Sequence, residues 1–274
     1  MKKILVPTDF SEHSIYALKV AAQIARKNDS ELFILNLLDL PSHMNDAVNS
    51  GVNIPEVMLF LKKTNDKLED LASEDFLEGI KITKAARIEK AFDGISTFSN
   101  EHNVDLIVMG SHGASGFQEM IIGSNTEKVV RSSDTPVLVI KNEIENFSAK
   151  NFVFASDFSN ETRKPFQKLV NFANDFNVNL SLVMVNTPNS FKSTLEAEKI
   201  MNDFMADFSI NSFSTHIFND VNVEKGILNF AERVNADIIG VCTHGRTKFA
   251  HFFMGSVSEG LVNHAARPVV TFKI

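Results

Sequence analysis

The sequence predicts an α/β protein made of two repeated, doubly wound parallel sheets of five strands each, and three observations carry that prediction. Gly110-Ser-His-Gly113, nine residues and Gly123-Ser124 is answered by Cys242-Thr-His-Gly245, nine residues and Gly255-Ser256. Each copy follows an apolar run, Asp105–Met109 or Asp237–Val241. After a helix-length stretch each is followed by Pro and a β-branched run, Pro136–Ile140 or Pro268–Phe272. The pairs His112/His244, Gly123/Gly255 and Pro136/Pro268 share one offset of 132 residues. Such a repeat in a chain of 274 residues means two copies of one domain.

The elements follow in order. Ile4–Val6 is the first strand, and Ile15, Leu18, Ala22 and Ala25 then form one face of a helix. Leu32–Leu38 reads as an apolar strand buried on both faces. Pro41–Pro55, rich in Asn, Ser, Gly and Pro, is expected as a mobile loop after it. A helix over Glu56–Phe76, a strand over Ile80–Arg87 and a helix over Gly94–His102 lead to Leu106–Met109 and the glycine turn. Ser124-x-x-Glu127 and Ser256-x-x-Glu259 read as capping boxes that open the next helices. Strands alternating with helices make a parallel sheet with crossover connections.

The second copy opens at Asn151–Ala155, where Ala155-Ser-Asp157-Phe-Ser159 answers Val6-Pro-Thr-Asp9-Phe-Ser11. Here the offset is 148, so the second copy is 16 residues shorter ahead of its glycine motif. The expected domains are 1–145, with an intact glycine motif, and 151–274, with a degenerate one; Glu143–Lys150 is the linker. The strands Pro136–Ile140 and Pro268–Phe272 each leave an apolar edge, and their pairing would join the repeats as a pseudo-twofold dimer within one chain. Further homodimerisation stays open.

Composition narrows the function. Hydrophobic residues make up 44% of the chain and charged residues 22%, enough for two cores. With 24 Phe against one Tyr and no Trp, the aromatic residues read as core filling rather than base stacking. A net charge of −7 without a basic block argues against nucleic acid or anionic membrane as a partner. Cys242 is the single cysteine, which excludes an internal disulfide and suits a reducing compartment. Met1-Lys-Lys-Ile-Leu-Val runs straight into a strand without the pattern of a secretory signal. No apolar stretch approaches the roughly 20 residues of a membrane span. The expectation is a soluble cytoplasmic protein.

The glycine turn carries the chemistry. Glycines let backbone N–H groups approach an anion, and a helix N-terminus favours negative charge. In a doubly wound sheet the crevice lies at the carboxyl ends of the strands, so the loop bearing Asp9 and the loop Gly110–Gly123 are expected to meet there. Gly110 and Gly113 allow close passage, while Gly123, Ser124 and Thr126 supply backbone donors and hydroxyls. The helix dipole contributes about 0.3–1 kcal/mol, against about 8 kcal/mol for micromolar affinity, so several N–H contacts and a buried base must supply the rest. Asp9 suits sugar hydroxyls or the base, and Leu37 an apolar wall.

Plainer readings stand beside these. The glycines also suit tight turns, Asp9 a helix cap, and His112 a packing role rather than a catalytic base. Cys242, His244, His251 and His264 match no standard zinc spacing, so no metal site is expected. Cys242 reads as a half-buried core residue rather than a redox sensor. Gly-Lys-Ser/Thr is absent, so fast P-loop hydrolysis is not supported.

Val6-Pro-Thr-Asp9-Phe-Ser together with Met109-Gly-Ser-His-Gly113 and Gly123-Ser124 resembles the universal stress protein family, and the two repeats together resemble its tandem-domain members. The resemblance implies an adenine-nucleotide alpha-hydrolase-like, Rossmann-like fold. It also implies a stress-response regulator that binds ATP, with or without magnesium. The binding set it implies is Pro7, Thr8, Asp9, Leu37, Met109, Gly110, His112, Gly113, Gly123, Ser124, Asn125 and Thr126, with no catalytic residue. Repeat two departs from the pattern at Cys242 and at Lys248, where repeat one has Gly116. It keeps Asp157, His244, Gly245, Gly255 and Ser256, and is expected as a structural partner. A nucleotide sensor in repeat one is the leading expectation. A slow ATP hydrolase or self-phosphorylating protein is the alternative, and a nucleotide-free scaffold the second.

Overall fold

Strands and helices alternate along residues 1–39, 54–113, 122–176, 178–243 and 254–274, which a computed structural model describes. Repeat one holds β1 (Lys3–Pro7), β2 (Glu31–Leu37), β3 (Ile82–Arg87), β4 (Leu106–Gly110) and β5 (Val137–Ile140). Its helices are α1 (Glu12–Asn28), α2 (Ile54–Ala72), α3 (Ala91–His102) and α4 (Ser124–Ser132). Repeat two holds β6 (Asn151–Ala155), β7 (Asn179–Asn186), β8 (Phe213–Asn219), β9 (Ile238–Thr243) and β10 (Val269–Lys273). With them come α5 (Arg163–Phe176), α6 (Thr194–Met205), α7 (Val223–Arg233) and α8 (Met254–His264).

All ten strands form one sheet in the order β3-β2-β1-β4-β5-β10-β9-β6-β7-β8. Neighbours within a repeat are parallel. The junction is antiparallel, with Val137 opposite Thr271, Leu138 opposite Val270 and Val139 opposite Val269. Leu138 and Val270 are counterparts at the offset of 132, so the local twofold of the junction passes through that pair. Two lysines repeat the symmetry. Lys141 Nζ donates to the Asn263 carbonyl at 2.6 Å, and its counterpart Lys273 donates to the Ser132 carbonyl at 3.0 Å. Each cation meets the last turn of the other repeat's helix, where carbonyls lack intrahelical partners.

Strand alternation sorts the core onto two faces. Ile4, Val6, Ile34 and Val108 point to the face covered by α1, which lies close because Ala17, Ala21 and Ala25 are small. Leu5, Leu35, Ile107 and Met109 point to the other face, with Ile95 and Phe98 of α3 and Val129 of α4. In repeat two the first face is filled by phenylalanine, with ring centroids 5.5 Å apart for Phe154–Phe166 and 5.0 Å for Phe166–Phe204. Both pairs are tilted or edge-to-face, the arrangement aromatic quadrupoles favour. These phenylalanines fill the core, whereas Phe60, Phe191 and Phe213 are exposed.

Several boundaries move. The helix expected over Glu56–Phe76 begins at Ile54 and stops at Ala72, followed by a 3-10 turn at Asp75–Leu77. Its last turn has no basic residue, and Glu74 and Asp75 beyond it oppose the negative end of the dipole. Pro55 lies in the first turn of α2 instead of a loop, where its missing N–H has no helical role. The rest of the expected loop, 41–53, lies outside the described residues. The α3 helix begins before Gly94, which faces Leu37 from within it: a Cβ there would lie 2.5 Å from Leu37 Cδ2.

Candidate functional site

The turn after β1 is built by its own side chains. Thr8 is buried; its hydroxyl meets Ser14 Oγ at 2.9 Å and accepts the Phe10 N–H at 3.0 Å. Asp9 Oδ1 accepts the Ser11 N–H at 3.0 Å, an Asx turn that carries Phe10 at φ 64. Ser11, not Asp9, caps α1. Repeat two copies the turn, with Phe158 N–H on Ser156 Oγ, Ser159 N–H on Asp157 Oδ1 and Phe158 at φ 55. One aspartate oxygen therefore folds the turn in each repeat.

The second oxygen of Asp9 faces the glycine turn. A Cβ at Gly113 would lie 2.7 Å from Asp9 Oδ2, so a residue larger than glycine would displace the Asp9 carboxylate from the turn. The loops after β1 and β4 do meet at the carboxyl ends of adjacent strands, where the winding reverses. His112 is half-buried, with Nδ1 2.9 Å from Ser111 Oγ. The two ends of the turn are pinched together by the Gly123 N–H on the Ser111 carbonyl at 2.8 Å.

Gly123 is the N-cap of α4, at φ −59 and ψ 143. The N–H groups of Ser124, Asn125 and Thr126 lie in the first turn, where no intrahelical acceptor exists. Ser124 and Asn125 are exposed at that end. The expected capping box of α4 does not form. Ser124 is the first helical residue rather than the cap, and Glu127 instead lies 3.9 Å from Arg131. In repeat two, α8 begins at Met254, ahead of Ser256.

Three expected site residues take other work. Gly110 is needed because the first turn of α1 rests on β4: a Cβ there would lie 2.6 Å from the His13 carbonyl oxygen. The buried Thr126 hydroxyl donates to the Gly110 carbonyl at 2.9 Å, so its proton is committed to tying α4 to β4. Met109 is buried in the core beneath α3 and α4. Pro7 ends β1 half-buried, and Leu37, half-buried at the end of β2, borders the same end of the sheet.

Other residues enter the site that the motif reading passed over. The His13 ring lies 5.1 Å from that of His112. Asn36 is buried; its amide nitrogen holds the Thr8 carbonyl at 2.8 Å, and among the described residues its Oδ1 has no partner. A polar residue inside the Leu32–Leu38 run was the available signal. Tyr16 beside His13 has its phenol pushed up to about 12, first by its hydrogen bond to Glu12.

In repeat two Cys242 stands at the Gly110 position and is fully buried rather than half-buried. The corresponding stretch Asn160–Thr162 is a 3-10 turn ahead of α5, where repeat one has regular α-helix from Glu12. Burial, then the Asp157 carboxylate, pushes the Cys242 thiol up. A thiol held protonated is a poor nucleophile. The folded chain should leave a thiol-reactive dye almost unreacted, and release one thiol per chain in denaturant; rapid native labelling would contradict this burial. His244 and Gly245 lie outside the described residues. Among the described residues no group of His, Cys, Asp or Glu has the arrangement to hold a metal ion.

A family model described as the universal stress protein family matches residues 1–141 and again 148–273. The chain is similar to Universal stress protein MJ0577 of Methanocaldococcus jannaschii, 30% identical over 153 residues that cover 51% of this chain and 94% of that protein. Universal stress protein Slr1230 of Synechocystis is 23% identical and is covered, as is this chain, over 100% of its length. The crystal structure of a universal stress protein from Archaeoglobus fulgidus superposes with a TM-score of 0.71 at 24% identity, covering 99% of this chain and 96% of that one, a likeness of fold. Two matches that together span nearly the whole chain decide the matter: it belongs to the universal stress protein family, as a tandem-domain member.

Proposed function

We propose that repeat one binds one adenine nucleotide, ATP or a close relative, and that the protein acts as a nucleotide sensor in a stress response. Family membership supports the stress-response role. The observation that carries the rest is the meeting of Asp9 with Gly113 beside the open first turn of α4. That arrangement suits a ligand with an anionic end and a hydroxylated end. Phosphates belong at the N–H groups of Gly113 and of Ser124–Thr126. The Asp9 carboxylate belongs with sugar hydroxyls, away from the phosphates, which it would repel. Leu37 offers the base an apolar surface. Among the described residues no helix is long and apolar enough to cross a membrane.

Repeat two departs from the motif, with Cys242 at the Gly110 position and Lys248 at the Gly116 position. We therefore expect one nucleotide per chain by calorimetry, and an adenine nucleotide in the mass spectrum of ligand released by heating. Two equal sites, or nucleotide in repeat two only, would refute the assignment. Turnover measured with magnesium separates a sensor from a slow hydrolase.

A further inference from the structure

The entrance to the α4 helix is held from the other repeat. Ile122, one residue before the N-cap, is buried, so its N–H needs an acceptor. That acceptor is Asn263 Oδ1, at 2.8 Å, from α8 of repeat two. The Asn263 main-chain carbonyl in turn accepts Lys141 Nζ at 2.6 Å. Lys141 directly follows Ile140, whose carbonyl accepts the Ser111 N–H at 2.9 Å. With the Gly123–Ser111 bond, these contacts close a ring through both ends of the glycine turn, β5 and Asn263. One residue of repeat two thus closes a hydrogen-bonded circuit around the turn of repeat one.

We propose that Asn263 is a positioning residue for the nucleotide site of repeat one, fixing the Ile122 peptide and with it the direction of the N–H groups at Gly123 and the first turn of α4. The proposal rests on the nucleotide reading above. Of the two terminal atoms of the asparagine amide only the oxygen accepts, so the side chain must present its carbonyl there. The counterpart of Asn263 at the offset of 132 is Arg131. A guanidinium has donors and no acceptor, so Arg131 cannot do the same for repeat two. Its Nε is buried and has no partner among the described residues. The clamp runs one way, toward the repeat with the intact glycine motif.

The test uses the full chain, ATP as probe, calorimetry and amide exchange by NMR. In Asn263→Ala we expect ATP affinity to fall about tenfold, about 1.4 kcal/mol. Exchange at the Ile122 amide should rise while Val129 and Val130 in α4 keep their protection. Asn263→Asp retains an acceptor oxygen near Lys141 and should recover most of both losses. Unchanged ATP affinity in Asn263→Ala would overturn the proposal. So would equal losses in Ala and Asp variants accompanied by faster exchange throughout α4, the pattern of a merely structural residue. If the unaltered chain binds no ATP, the nucleotide reading fails first, which is distinct from a chain that binds ATP with and without Asn263.

Discussion

Replacing Gly123 by Val is expected to remove nucleotide binding from a chain that still folds. Gly123 has φ −59 and ψ 143, a conformation open to β-branched residues, so no left-handed backbone must be lost. A Cβ there would meet the Ser111 oxygen at 3.6 Å and the Gly113 nitrogen at 3.7 Å, ordinary contacts that need no shift. Valine adds two methyl groups beyond that Cβ, at the mouth between the Gly113 N–H and the first turn of α4. Those are the donors a phosphate has to reach. Gly123 is the N-cap, where glycine is preferred to valine, so the stability cost should be about 1 kcal/mol. The loss of affinity should be at least about a hundredfold, or about 2.7 kcal/mol. Calorimetry with ATP and a urea midpoint measure the two effects separately. An unchanged dissociation constant in the folded variant would mean that the phosphate does not sit at this helix.

The fold was legible because its signals are local or periodic. Glycine spacing, prolines ahead of β-branched runs and the offsets of 132 and 148 are enough to place ten strands in two copies. The reasons behind particular residues were less legible. Gly110 and Gly113 look alike in a motif, yet one faces the α1 backbone and the other the Asp9 carboxylate, a difference set by which helix or loop lies overhead. Thr126 resembles a phosphate ligand until its proton is found on the Gly110 carbonyl. Asn263 was out of reach, since its contact with Ile122 exists only once β5 and β10 pair about a local twofold. With that axis known, the offset of 132 identifies Arg131 as its counterpart and makes the asymmetry readable in the sequence.

The same axis defines what repeat one should do alone. In the full chain all four residues of β5 are buried, with β10 against its outer edge. A fragment of residues 1–145 exposes the N–H and C=O groups of that edge, which is apolar and β-branched and invites a second strand. Since the junction's twofold runs through Leu138 and its counterpart, a second copy should dock with Leu138 opposite Leu138 and Val137 opposite Val139. The fragment then has to dimerise at its own concentration, whereas the linker between repeats holds the two edges together at high effective concentration. Sedimentation should show a monomer–dimer equilibrium or aggregation, and a stability that rises with protein concentration. The fragment dimer should still bind ATP more weakly than the full chain, even when fully dimeric, because each partner offers the Ile122 N–H an Arg131 guanidinium in place of an asparagine oxygen. Arg131→Asn in the fragment should recover that affinity. A fragment that stays monomeric at high concentration with full stability would show that covering the β5 edge is not what repeat two does. A dimeric fragment that binds ATP as tightly as the full chain would leave the edge argument standing and remove the clamp.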